Sequence, residues 1–388
     1  MFYLIGIAVT LFLATILITK RGKTEADQIL AIWLVAIGIH LAFFYLFISG
    51  KNHLFPYLLG LDLPFPLLHG PLLYLYTEAV TNQVATRRFR LLHFVPFLLV
   101  YLLFLNFIMS PAEHKIFVYN NSGIGYETPM GILFLAIVIS GIVYVALSLR
   151  LLARHKRIIK NQFSYAEKIN LAWLRYLIYG IAVIWIVVIF GDDRATYSTV
   201  VVFVIMLGYF GIKQVGIFTQ HLPIESKPDV KEVAVPEPVS ISTVLPDLEE
   251  PGTEEPKKAK YLKSSLNADS AENIYTGLTK LMSERKPYTN PELTLDELAQ
   301  TLNVHRNNLS QVINTYEQKS FYDYINSKRV EEFKRIVSLP ESQKFTLLGL
   351  ANNSGFNSKT SFNRNFKNAT GLSPTEYLKQ AHILLEQY

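Results

Sequence analysis

Two short stretches near the C-terminus carry side chains that could read a nucleic acid. In the first, about 306–316, Leu309, Val312 and Ile313 fall on one helical face and Arg306, Asn307, Asn308, Ser310, Gln311 and Asn314 on the other. A merely solvated helix would favour Glu and Lys on its outer face, whereas amides and arginine offer paired hydrogen bonds to base edges in a DNA major groove. In the second, about 359–368, Phe362 and Phe366 share a face opposite Lys359, Thr360, Asn363, Arg364 and Lys367. This is the chemistry of hydrogen bonding and phosphate neutralisation, not of bond making. The chain has no cysteine, which excludes disulfides and thiolate metal ligands. It also shows no nucleotide-binding glycine loop, kinase signature or metal-ligand cluster. No catalytic residue, cofactor or metal is therefore expected.

Each stretch sits where a second helix of a helix-turn-helix would. Ahead of the first, Thr294 and Glu297 form a capping box, and Leu295, Leu298, Ala299 and Leu302 recur at i, i+3, i+4 and i+7, the stripe of an amphipathic helix. A break at Asn303–Val304 follows. Ahead of the second, Leu347, Leu350 and Ala351 line a helix. Ser354-Gly355-Phe356 makes the turn, with Gly355 free to take a left-handed conformation, and Ser358 is the cap. Ser373, Pro374 and Glu376 start a closing helix, and another helix opens the region, about 271–285. Between the units, 321–338 reads as one helix of roughly 27 Å at 1.5 Å per residue, a rod able to hold two recognition helices about one DNA turn apart.

These residues resemble the AraC family of bacterial transcription regulators over about 271–380. The resemblance rests on Leu-Thr-Leu-Asp-Glu-Leu-Ala from Leu293, Asn-Asn-Leu-Ser-Gln-Val-Ile-Asn from Asn307 and Phe-Tyr-Asp-Tyr-Ile-Asn-Ser-Lys-Arg-Val from Phe321. Above all, Gly355 to Tyr377 follows the family's G-F-x-S-x-x-x-F-x-R-x-F-K…G-x-S-P-x-x-Y signature. The resemblance implies that Asn307 and Gln311 sit near base edges in the first unit and Lys359, Thr360 and Arg364 in the second, with Lys367 among the phosphate contacts. Arg306, Asn308 and Asn363 complete the candidate set. Two departures stand out: Phe333 replaces a residue that is often small in the family, and His305 stands where a Ser-like cap is common.

The rest of the chain is different in kind. Half of the 388 residues are hydrophobic, and the excess lies in residues 1–218. A bilayer span needs about 20 apolar residues, and seven stretches qualify: 2–19, 28–48, 65–81, 91–109, 130–149, 173–190 and 199–217. Pro64, Pro66, Gly70 and Pro71 interrupt the start of the third. Basic residues follow the first span (Lys20, Arg21, Lys23) and lie between the third and fourth (Arg87, Arg88, Arg90). The richest loop joins the fifth and sixth spans, with Arg150, Arg154, Lys156, Arg157, Lys160 and Lys168; the alternate loops hold only Lys51, Lys115 and Arg194. The positive-inside rule then puts the N-terminus outside and the C-terminus in the cytoplasm. No basic residue precedes the first apolar run and no A-x-A-like site follows it, so the first stretch is expected to be an uncleaved span. Glu78, near a cytoplasmic helix end, is expected to pair with a nearby arginine. His40, His69 and His93, on separate spans, are expected to pack as neutral hydrogen-bonded side chains. Tyr74, Tyr76, Tyr57 and Phe65 are assigned to interfacial belts. The architecture is akin to seven-span sensors joined to such domains in some bacteria.

Residues 219–260 hold seven prolines and nine acidic residues, a composition that cannot bury enough apolar surface to fold. They read as a disordered tether. The expected organisation is an all-α chain: a seven-helix transmembrane bundle (1–218), a Pro- and acid-rich linker (219–260) and an AraC-type double helix-turn-helix domain (261–388). The expected partners are double-stranded DNA and the lipid bilayer of the inner (cytoplasmic) membrane, with a homodimer and an unidentified signal ligand or partner protein left open. Residues 261–388 hold 15 basic and 13 acidic side chains, so non-specific DNA binding is expected to be modest. A competing reading makes residues 1–218 a transporter or membrane enzyme with a protein-interaction tail, and a third releases the DNA-binding part by proteolysis in the linker.

Overall fold

The computed structural model describes residues 1–83, 87–165, 171–213 and 267–380; the expected linker, 219–260, lies outside them. Helices form the described chain, with a lone antiparallel bridge between Phe163 and Thr294. In the N-terminal half the helices are α1 (Phe2–Thr19), α2 (Glu25–Ile48), α3 (Pro66–Val80), α4 (Val95–Leu103), α5 (Leu105–Ile108), α6 (Ala112–Asn120), α7 (Glu127–Gln162), α8 (Ala172–Phe190) and α9 (Asp193–Lys213). Six of them close a ring: α1 packs on α2, α2 on α3, α3 on α7, α7 on α8, α8 on α9, and α9 back on α1. One core of buried side chains fills the ring, including Leu17, Trp33, Leu41, Leu73, Ile178 and Val204.

Among the described residues, α1, α2, α7 and α8 are long and apolar enough to cross a membrane. The seven-span expectation is met in full only by these four. The third expected span is α3, whose 15 residues reach about 22 Å, short of a hydrocarbon core of about 30 Å. Pro66 starts it at the first turn and Pro71 lies inside it. The fourth is divided into a 3-10 stretch, Arg87–Phe94, then α4 and α5, with a break at Phe104, and it packs beside α3 outside the ring. The seventh corresponds to α9, which opens on charged Asp193 and Arg194. Large apolar side chains nonetheless cover the bundle's exterior, with Phe12, Ile32, Leu102 and Phe190 all more than half exposed, a surface suited to lipid and not to water.

Charges collect at one end of the ring. A capping box of Thr24 and Asp27 starts α2, and Lys20 pairs with Asp27 at 2.9 Å. Arg90 pairs with Glu78 at 2.9 Å and with Glu25, the partner expected for Glu78. In the interior, Trp33 Nε1 donates to His69 Nδ1 (3.2 Å). That leaves His69 Nε2 to donate to His40 Nδ1 (3.2 Å) and His40 Nε2 to donate to Tyr197 Oη (2.7 Å). The chain of bonds fixes both imidazoles as neutral Nε2–H tautomers. His93 instead meets Tyr144 Oη at 2.9 Å. Tyr76, assigned to an interfacial belt, is buried between Trp33 and Trp173; its spacing on α3 faces the ring's core.

The C-terminal region comprises α10 (Ala268–Glu284), α11 (Leu295–Thr301), α12 (Arg306–Glu317), α13 (Phe321–Val337), α14 (Leu347–Asn353), α15 (Lys359–Thr370) and α16 (Pro374–Gln380). It has two cores that share one helix. Phe321, Tyr324 and Ile325 of α13 join Leu278, Leu298, Leu309 and Ile313. Val330, Phe333 and Val337, further along α13, join Leu350, Phe362, Phe366 and Leu378. Phe333 lies 4.6 Å from the Phe362 ring centroid and 5.5 Å from that of Phe366, so the bulky departure from the family pattern is absorbed as the centre of an aromatic cluster.

Candidate nucleic-acid interface

Local chemistry sets the geometry of each unit. Thr294 Oγ1 accepts from the Glu297 amide at 3.2 Å, and Glu297 Oε2 accepts from the Thr294 amide at 2.9 Å, closing the expected capping box at the start of α11. The turn passes through Asn303 at φ +53°, a conformation that Asn tolerates better than most residues. α12 then begins at Arg306, and His305 is its cap after all: its Nδ1 accepts from the Asn307 amide at 3.3 Å. Leu309, Val312 and Ile313 are buried as expected. Arg306 and Asn307 are exposed, and Asn308 and Gln311 half-buried, on the opposite face. Asn314 turns back to the Ser310 carbonyl of its own helix at 2.8 Å.

The second unit repeats this plan. Thr346 caps α14 through the Gly349 amide at 3.1 Å. Ser358 caps α15 through the Ser361 amide at 3.1 Å, and the box of Ser373 and Glu376 starts α16. Lys359, Thr360, Asn363, Arg364 and Lys367 are all exposed along α15. Gly355 turns the chain at φ +96°, and its role exceeds backbone freedom. A Cβ there would crowd the Tyr288 carbonyl oxygen and sit 2.9 Å from Thr289 Cα and 3.0 Å from Arg329 Nε. The turn of the second unit is thus pressed against the 3-10 segment Pro287–Thr289, which belongs to the first.

Arg364 differs from its neighbours on α15. Its Nη2 donates to Tyr322 Oη at 2.6 Å, and Asn365 Nδ2 donates to the same oxygen at 2.8 Å. Tyr322 lies in the first turn of α13, so the second recognition helix is braced against the linking helix through the arginine expected to reach a base.

The central residues that sequence reasoning missed, Asn326, Arg329 and Glu332, lie on that linking helix. Arg329 is buried, and its guanidinium donates from Nε to Tyr288 O (2.7 Å) and from Nη2 to Asn290 O (2.7 Å) and Ser164 Oγ (2.9 Å). From Nη1 it donates to Ser164 O (3.1 Å) and Asn326 Oδ1 (3.3 Å). Burial pulls its pKa down to about 10, so it stays charged at neutral pH. Asn326 Nδ2 also donates to Ser164 O at 3.0 Å. Glu332 accepts from Arg335 (2.7 Å) and Lys286 (3.0 Å); those hydrogen bonds, Arg335's foremost, hold its carboxyl down at about 2. One signal was available: Tyr322, Asn326, Arg329 and Phe333 recur at i, i+4, i+7 and i+11, which places Arg329 on the buried stripe.

Ser164 belongs to the other half of the chain. At 36 residues, α7 extends about 54 Å, well beyond a bilayer core, and its end meets the C-terminal region. Besides the Arg329 and Asn326 bonds, the Ser164 amide donates to Leu293 O at 3.2 Å and Lys160 faces Asp323 at 3.5 Å. Among the described residues no cluster of three or more His, Asp or Glu could hold a metal ion.

Residues 298–380 match the family model described as a helix-turn-helix domain. No curated protein and no solved structure matches the chain. The C-terminal region is an AraC-type helix-turn-helix domain, and among the described residues four helices have membrane-spanning length and apolarity.

Proposed function

We propose that this chain is a membrane-embedded, one-component regulator of transcription in a bacterial inner membrane. One observation carries the reading: two capped helix-turn-helix units hang on a single helix, each exposing a polar recognition face, within the segment that matches the helix-turn-helix family. Residues 261–388 bind double-stranded DNA. Arg306, Asn307, Asn308 and Gln311 meet one major-groove segment. Lys359, Thr360, Asn363 and Arg364 meet the next, and Lys367 holds a phosphate. α13, 17 residues and about 26 Å long, suits recognition helices one DNA turn apart.

Residues 1–218 are the membrane domain, with seven spans, the N-terminus outside and the basic loops inside, and 219–260 is the tether. The broken fourth segment and the short α3 are tolerable in a bilayer where neighbouring helices cover their freed backbone groups. α7 is the route by which the bundle influences the DNA-binding domain, because its end touches both α13 and the loop before α11.

The test is DNA selection with residues 261–388. Enrichment of a two-element site, weakened by Arg364→Ala, is the expected outcome. Equal binding by wild type and Arg364→Ala would overturn the assignment of that residue, and strong binding indifferent to sequence would overturn the reading of the two faces.

A further inference from the structure

Between the C-terminal end of α7, the first turns of α8 and the helix-turn-helix domain lies a groove of about 510 Å³, within the size range of small-molecule sites and far too small for a duplex. Four cations line it: Lys156 and Lys160 of α7, Arg175 of α8 and Arg364 of α15. One carboxylate, Asp323, faces them, and it pairs with Lys160 at 3.5 Å across two half-exposed side chains, a weak neutralisation. His155 and Tyr322 also line it. Asn365 and Asn368 add amide groups from α15, and Leu149, Leu152, Ile159, Leu171 and Tyr179 make an apolar floor.

Positive charge at the inner ends of membrane helices needs no ligand to explain it, but that accounts only for the α7 and α8 residues. Arg364, Asn365 and Asn368 come from a different domain and close the groove from the other side. The groove also opens along the membrane surface of α8, where Tyr179, Val183 and Ile186 form an exposed apolar stripe at i, i+4 and i+7. A site with cations and amides on one side, an apolar floor, and an apolar stripe leading away from it fits an anionic amphiphile.

We propose that this groove binds the phosphate headgroup of an anionic lipid from the leaflet at the inner end of α7, with its acyl chains along the α8 stripe. The headgroup bridges Lys156 and Arg175 of the membrane helices to Arg364 of the second recognition helix. Bound lipid therefore clamps the helix-turn-helix domain against the membrane and competes with DNA for Arg364. This rests on the membrane topology given under Proposed function.

The experiment is native mass spectrometry of the full chain in detergent with either phosphatidylglycerol or phosphatidylcholine added, and with inorganic phosphate as competitor. Phosphatidylglycerol is expected to be retained and phosphatidylcholine released. Removing two cations in K156Q/R175Q should weaken retention about thirtyfold, and K156R/R175K should restore it, which separates lost charge from lost fold. Equal retention of the two lipids, or full retention by K156Q/R175Q, would overturn the proposal. Displacement of the lipid by millimolar inorganic phosphate would overturn the lipid assignment in favour of a soluble phosphate. None of these outcomes bears on DNA binding by residues 261–388, which lack α7 and α8.

Discussion

Replacing Gly355 by alanine tests the close approach of the two helix-turn-helix units, and Gly371 supplies an internal control. Both take positive φ, +96° and +79°. Around Gly371, however, a Cβ would meet nothing within 4 Å, whereas at Gly355 it would crowd backbone atoms of Tyr288 and Thr289. Gly371→Ala therefore carries only the left-handed penalty, about 1 kcal/mol. Gly355→Ala carries the same penalty and must also push the turn off the 287–289 segment. Backbone cannot rotate aside, so the hydrogen bond from Arg329 Nε to Tyr288 O, 2.7 Å long, is stretched as well. A bond to a charged group contributes about 1.5–3 kcal/mol. The expected destabilisation is about 2.5–4 kcal/mol, a large part of the roughly 5–15 kcal/mol that holds a domain folded. Urea unfolding of residues 261–388 carrying each substitution measures both. If Gly355→Ala costs no more than Gly371→Ala, the packing of one unit's turn on the other is refuted.

Four further substitutions probe the same geometry. The Glu332 carboxyl is held at about 2, below its usual 4.5, chiefly by Arg335 and then Lys286; a depressed folded-state pKa gives stability that is whole above about pH 4.5 and lost as pH falls toward 2. Discounting for the exposed Arg335, Glu332→Gln should cost about 1–3 kcal/mol at pH 7, with wild type and variant converging near pH 2 in pH-dependent unfolding. Arg329→Met leaves the Tyr288 and Asn290 carbonyls without their donor and should cost about 3–5 kcal/mol; thermal unfolding of the full chain reads it, and a neutral result would mean that the buried guanidinium is dispensable. In DNA titrations across salt, Lys367→Ala should flatten the log affinity–log salt slope by about 1, while Arg364→Ala should cost about 1–3 kcal/mol and relax preference at one base position.

What could be read from sequence was local. The capping residues Thr294, Ser358 and Ser373, the apolar stripes of α11 and α12, and the turn at Gly355 act within a few residues of themselves, so their spacing predicts them. Arg329 gathers Ser164, Tyr288, Asn290 and Asn326 from distant parts of the chain, and no local pattern announces such a set. His305 is instructive in the other direction: an imidazole in place of a hydroxyl still supplies an acceptor at the helix start. In the N-terminal half, apolar composition located the four long helices and the prolines marked a weak start to the third stretch, but neither could say that α3 would end at Val80, or that the fourth stretch would divide at Phe104. Nor could it join His40, His69, Trp33 and Tyr197, which are carried by α2, α3 and α9 and meet only because the ring closes.

On the proposed reading, one chain reads two successive major-groove segments. Its most direct test is to insert about 5 bp, half a helical turn, between the two elements of a selected site and to measure the affinity of residues 261–388. Affinity is expected to fall to that of a site with one element, because α13 is a rigid rod that cannot carry α15 to the opposite face of the duplex. Unchanged affinity after the insertion would contradict it.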